Sequence, residues 1–261
     1  MKNFLLVVLG LICITLLIVG NQNWKERIAG APASSEFEET ANETGVESAE
    51  DNVGTQFDSL ISNWPEEAQE SFKQAVNTET SYKIALVGSP ALGSGEEGWS
   101  DQLAGELAAA FEDQVEVSIF QEDTTSVQFI KSGLYDDVLD FQPDLVLYEP
   151  FTLNDNTAGV PAEQSHESIL TFYEDMQEKN ENAVLLLQPS YPIDGATYYP
   201  KQVDKLKAFA EENDFTYLNH WTEWPEEAID EYLLRSNEGP NDKGHELWAD
   251  YLIDYFINDA S

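Results

Sequence analysis

Ile84-Ala85-Leu86-Val87-Gly88-Ser89-Pro90-Ala91-Leu92-Gly93 is the stretch that decides the fold. Ile84 to Val87 are apolar with no polar alternation, the composition of a strand covered on both faces. Gly88, Pro90 and Gly93 then break the pattern, and a helical stretch starts near Trp99. Strand, tight turn and helix open a doubly wound α/β fold, whose ligands sit at the carboxyl ends of the strands. Ser89 is the hydroxyl that this turn presents there.

Outward from this stretch the same grammar repeats. Further apolar runs occur at Val115–Phe120, Leu145–Tyr148, Ala183–Leu187 and Phe215–Leu218. Between them, apolar residues recur at spacings of three and four: Trp99, Leu103, Leu107 and Phe111, then Val203, Leu206 and Phe209. Leu247, Trp248, Tyr251, Leu252, Tyr255 and Phe256 give a last helix. A shorter helix is expected between Phe57 and Val76, with Pro65 near its start. Strands alternating with helices imply a parallel sheet with helices on both faces.

The 261 residues carry a net charge of −38, from 50 acidic against 12 basic side chains. That excludes a general electrostatic attraction to nucleic acid or anionic lipid. The acid is spread along the chain and reads as a solvated surface, either of a soluble acidic protein or of one adapted to high salt. The single cysteine, Cys13, allows no intramolecular disulfide and does not identify a compartment. No Cys or His cluster has metal-ligand spacing, and no cofactor is implied.

Phe4 to Val19 is apolar with Lys2 before it, a signal peptide or a single membrane anchor. Ala31-Pro32-Ala33 resembles a cleavage site but lies far from the apolar run, so an uncleaved anchor over residues 1–24 is expected, with the domain extracytoplasmic. Lys2 faces Lys25 and Arg27 across the span, so charge does not set the orientation. Residues 25–56 form a linker, acidic from Ala33 onward, whose Glu36, Glu38, Glu39, Glu43, Glu47, Glu50 and Asp51 cannot bury a core. It serves as a self-repelling spacer or as a solvated tail. Residues 57–261 form the domain.

Three parts of the domain resemble the SGNH, or GDSL-like, hydrolases. Val87-Gly88-Ser89-Pro90-Ala91-Leu92-Gly93 resembles the block Gly-Asp-Ser-x-x-x-Gly, matching its Ser and its last Gly, with Gly88 in place of Asp. No Gly-Lys-Ser/Thr follows, which excludes a Walker loop. Asn154-Asp155, after the third apolar run, matches the last two residues of the block Gly-x-Asn-Asp, while Glu149 to Leu153 departs from it. Asp242 and His245 have the spacing of the final Asp-x-x-His block.

The resemblance implies a flavodoxin-like three-layer α/β/α fold with five parallel strands ordered 2-1-3-4-5. That order makes strands one and three neighbours and brings Ser89 and Asn154 together. It further implies a nucleophile, Ser89, with Gly88, Thr124 and Asn154 around the oxyanion. His245 would be the base and Asp242 its orienting partner. A second register of the final block, aligned on Pro240-Asn241 and Gly244, puts Gly239 in the His slot and Ser236 in the Asp slot. The other histidines are His166 and His220, and His220 follows strand five. Tyr191, Tyr198, Tyr199, Trp221 and Trp224 form an aromatic set near the same edge, suited to packing or to sugar rings.

Two functions follow from the resemblance. One is a serine esterase or acylhydrolase outside the cytoplasm, acting on a small-molecule or glycan ester and attached to the membrane by its N-terminal segment. The other is a fold that has lost its dyad and binds a surface glycan or a protein.

Overall fold

The structure, a computed structural model, describes residues 54–258 except 96, 226, 236 and 237. The apolar run 4–19, the anchor expected over residues 1–24 and the linker up to residue 53 lie outside the described residues. Among the described residues no helix is long and apolar enough to cross a membrane.

Five strands form one parallel sheet: β1 (Tyr82–Gly88), β2 (Val115–Gln121), β3 (Leu145–Tyr148), β4 (Val184–Leu187) and β5 (Thr216–Tyr217). Their order is β2-β1-β3-β4-β5, as the sequence predicts. The helices are α1 (Glu66–Asn77), α2 (Trp99–Phe111), α3 (Ser126–Lys131), α4 (Asp136–Phe141), α5 (Thr152–Ala158), α6 (Ala162–Lys179), α7 (Tyr199–Glu212) and α8 (Asp242–Phe256). The chain reverses its winding between β1 and β3, whose register pairs Val87 with Tyr148. The residues just beyond these two strands, Gly88-Ser89 and Glu149, therefore leave the sheet side by side.

Alternate residues of β1 go to opposite cores, as the period of two requires. Ile84 and Leu86 join the core beneath α1, α2 and α8. Ala85 and Val87 join the one beneath α3, α4, α6 and α7. Both faces being covered explains why the strand carries no polar alternation. The helix expected after Phe57 is α1. Pro65 precedes it, Glu66 and Glu67 favour its positive end, and Ala68, Phe72 and Val76 form its buried stripe. Trp64, just before it, donates from Nε1 to the Phe256 carbonyl at 2.9 Å and meets Phe72 and Phe111 edge-on or tilted at 5.5 and 5.7 Å. Asn258 N–H donates to the Leu60 carbonyl at 2.9 Å. The entry to the domain is thus sealed against its last helix.

Candidate active site

Ser89 ends β1 and caps a single 3-10 turn, Pro90–Leu92, with Oγ accepting from Ala91 N–H at 3.3 Å. Pro90 suits the first position of that turn, where no N–H is needed. Ser89 is only 3 % exposed. Its own N–H donates to Oε2 of Glu149 at 2.9 Å. Glu149 is fully buried, and Oε1 makes no hydrogen bond of good geometry. Burial pushes its carboxyl up to about 7, against the opposing pull of the Ser89 hydroxyl, the Ser89 amide and the Thr152 amide. Gly88 has no room for a side chain: a Cβ would lie 2.6 Å from Leu92 Cδ1 and 2.8 Å from Glu149 Cβ. The backbone of Gly88 belongs to the ladder, its carbonyl accepting from Glu122 N–H at 2.9 Å.

Asn154 lies in the first turn of α5, which follows β3. Its Nδ2 donates to the Thr124 carbonyl at 2.8 Å and, weakly, to Asp123 Oδ1 at 3.5 Å. The neighbouring Asp155 is buried and accepts from Ser126 N–H at 2.9 Å and Ser126 Oγ–H at 2.6 Å. Burial raises its pKa, and the bonds from Ser126 and Ser165 oppose that rise. The Asn-Asp pair thus fastens the loop after β2 to the end of β3. Asn154 and Thr124, predicted to share a site, are in direct contact through the Thr124 carbonyl.

The three histidines occupy different settings. His220 is fully buried and stacks on Trp248 at 3.9 Å. Its Nδ1 accepts from Trp224 Nε1–H at 3.0 Å, which leaves Nε2–H to donate to the Pro189 carbonyl at 3.0 Å. Burial holds its pKa down at about 3, so the ring stays neutral. Both nitrogens being committed, His220 is a packing residue. His166 stacks on Phe209 at 4.3 Å between α6 and α7, and burial lowers its pKa. His245 sits in the first turn of α8, half-buried, with Asp242 exposed at the helix start. Both line an open cleft of about 540 Å³ with Glu97, Asp101, Gln102 and Glu246.

Nδ1 of His245 accepts from Trp99 N–H at 3.2 Å, and the ring fills the space beside Gly93, where a Cβ would lie 2.8 Å from Cε1. In a Ser-His-Asp relay the carboxylate accepts a proton from Nδ1–H and the serine faces an unprotonated Nε2. With Nδ1 already an acceptor, the neutral ring carries its proton on Nε2. With the Trp99 amide on Nδ1, that nitrogen does not donate to Asp242 in this arrangement.

The family model for GDSL-like lipases and acylhydrolases matches residues 80–247. The chain belongs to that family. Solved structures of similar fold include the psychrotrophic esterase EstA from a Pseudoalteromonas species, 20 % identical, with 67 % of this chain and 96 % of that one covered at a TM-score of 0.54. A catalytic mutant of Axe2, an acetylxylan esterase from Geobacillus stearothermophilus, is 15 % identical over 67 % of this chain and 94 % of that one, with a TM-score of 0.53. A GDSL-like lipase from Bacteroides thetaiotaomicron is 14 % identical over 73 % of this chain and 98 % of that one, with a TM-score of 0.51. No curated protein sequence matches the chain.

As a GDSL-like protein the chain departs from the family blocks at Gly88, at Glu149 to Leu153 and, on the second register, in the final block. Asn241 is the N-cap of α8, its Oδ1 accepting from Lys243 and Gly244 N–H. Pro240-Asn241 thus lead into the last helix, the context of the second register, with His245 inside the helix and Gly239 before it. Among the described residues a Cβ at Gly239 would meet only Leu234 Cδ1, at 3.6 Å. Ser236 lies outside the described residues. The residue that sequence reasoning passed over is Glu149, seen there only as a mismatch. The available signal was a carboxylate directly after an apolar strand, at the sheet edge where this fold collects its sites.

Proposed function

We propose that the chain hydrolyses esters of short acyl groups with Ser89 as nucleophile, and that its substrate is an acylated cell-surface glycan reached from a tethered, extracytoplasmic position. The observation that carries this reading is Ser89 itself, at the carboxyl end of β1 beside the end of β3, where the winding reverses. Its low exposure favours a small acyl group. The fold is shared with an enzyme named for acetylated xylan, which supports a glycan ester. The apolar run 4–19 and the acidic stretch after it support a tether.

In this reading Ser89 Oγ attacks the ester carbonyl. Asn154 supplies a hydrogen to the developing oxyanion from Nδ2, the one now weakly directed at Asp123, together with Thr124 N–H; one such donor is worth about 3–4 kcal/mol. The acyl-enzyme is then hydrolysed. The test is a fluorophosphonate label followed by peptide mapping on the full chain. Labelling at Ser89, abolished in Ser89→Ala together with release of acid from a short-chain activated ester, is the expected result. A wild type that never labels and never cleaves an ester sinks the reading.

A second reading, a binding module on a degenerate site, is supported by the Asn241 cap that leads into α8, the context of the register in which Gly239 takes the His slot. It predicts no labelling and glycan binding that survives Ser89→Ala.

A further inference from the structure

The Ser89 hydroxyl needs a proton acceptor, and each histidine has a reason not to be one. His220 has both nitrogens bonded within the core. His166 is stacked on Phe209 between helices. His245 offers Trp99 the lone pair of Nδ1. One other titratable group touches Ser89. Glu149 follows β3, its Oε2 bonded to Ser89 N–H at 2.9 Å and its Oε1 without a well-formed partner although fully buried.

We propose that Glu149 is the catalytic base of this site, taking the proton of the Ser89 hydroxyl on its carboxylate. The inference rests on Ser89 being the nucleophile. A carboxylate buried without its full complement of hydrogen bonds costs free energy, and it persists where it has a role. The backbone bond to Oε2 fixes the carboxyl plane beside the serine and leaves Oε1 to receive the hydroxyl proton. Gly88 is required for this arrangement, because any side chain there collides with Glu149 Cβ and its carbonyl oxygen, at 2.8 and 3.1 Å from a Cβ.

The groups facing Glu149 contribute no positive charge. They are the Ser89 hydroxyl and Thr152 amide, the carboxyl of Asp155 on α5, and the phenols of Tyr148 on β3, Tyr191 on the loop after β4 and Tyr199 on α7. Among the described residues no ion pair holds the carboxylate. Without a cation to stabilise its charge, it is a stronger base than an exposed glutamate, poised near neutrality as a general base should be.

The steps balance. As the bond from Oγ to the carbonyl carbon forms, the Oγ proton passes to Glu149 and the carbonyl π pair goes to oxygen. Collapse breaks the bond to the alcohol oxygen, which takes the proton from Glu149. A water then gives a proton to Glu149 as it attacks the acyl carbon, and Ser89 leaves with that proton.

The experiment measures the rate of fluorophosphonate labelling at Ser89 on the full chain from pH 5 to 9. In the wild type the rate rises with pH through a midpoint near neutrality. Glu149→Gln, confirmed folded by circular dichroism and thermal melting, labels at least about 10²-fold more slowly and without that rise, the contribution of one general base. Glu149→Asp keeps the pH-dependent limb at a reduced rate. A folded Glu149→Gln with the wild-type rate and profile overturns the inference and leaves the nucleophile assignment standing. Absence of wild-type labelling at every pH instead overturns the esterase reading on which it rests. Should Glu149→Gln not fold, Glu149→Asp decides: a rate and profile identical to wild type overturn the inference, because a shorter side chain must displace the acceptor.

Discussion

Gly88 and Gly239 both stand where GDSL-like relatives of the sequence blocks carry an acid or a histidine, yet their surroundings are opposites. Around Gly88 the chain is packed to contact, with Leu92 and Glu149 in the volume a side chain would need. Around Gly239 only Leu234 comes within 4 Å of a Cβ. In the first corner the missing carboxylate has a neighbour in its place, delivered from β3. In the second the missing ring has left an open slot. A departure from a family pattern is thus read against what fills the volume: a packed corner at Gly88 and, among the described residues, an unfilled one at Gly239.

The most disruptive test of this contrast is Gly88→Asp, which restores the family residue. It would overlap Glu149 and bury a second carboxyl beside the first, and we expect it to cost more than about 3 kcal/mol. A denaturant midpoint within error of wild type would show that the corner is not closed. The second test uses the Glu149 carboxyl as a titrating probe of the same corner. Its folded pKa, about 7, lies above the ordinary 4.5, so the folded state binds the extra proton and stability falls as pH rises from about 4.5 to 7. At 1.36 kcal/mol per pK unit the loss is about 3 kcal/mol. His220, depressed from 6.5 to about 3, acts in the opposite sense and loses stability as pH falls through that range. The measurement is therefore the wild type minus Glu149→Gln difference in unfolding free energy. It should decline toward pH 7, and a flat difference contradicts the burial of the charge.

Gly93→Ala probes the far side of the first corner. Gly93 has φ +68 and its Cβ would lie 2.8 Å from both Gly98 Cα and His245 Cε1. The expected cost is about 1–3 kcal/mol. The smallest effect on stability belongs to Gly239→His, within about 0.5 kcal/mol by thermal melting, because nothing is displaced. That variant also sharpens the comparison functionally. If the open slot is the one a histidine vacated, the added ring should accelerate labelling of Ser89; an unchanged rate would separate Gly239 from the site.

Much of this was legible beforehand, for stated physical reasons. The strands read correctly because each is a short, uninterrupted apolar run buried on both faces, whereas the order 2-1-3-4-5 came from the resemblance to SGNH hydrolases. The last helix was legible in the three-and-four spacing of Leu247, Trp248, Tyr251, Leu252, Tyr255 and Phe256. What did not follow was the direction of side chains after the strands end. Asn154 as a letter gives no indication that its amide meets the Thr124 carbonyl. His245 gives none that Trp99 N–H occupies Nδ1. Glu149 was hidden because burial of a charge contradicts its composition, and only the register of Val87 against Tyr148 brings it under Ser89.

The seal between the entry to the domain and its last helix has a consequence for how the polypeptide matures on the ribosome. Trp99 of α2 stacks on Trp248 of α8 at 4.9 Å, and Trp248, Ala249, Leu252 and Phe256 share the core with Ile84 and Leu86 of β1. Those four residues lie on the last helix among the described residues, so they leave the ribosome after the five strands and the other helices of this domain. Until they emerge, the face of β1 that carries Ile84 and Leu86 lacks this part of its cover, while α3, α4, α6 and α7 on the opposite face have already been made. We expect a chain that stops before Asp242 to leave that apolar surface open to solvent, with its strong negative charge opposing association.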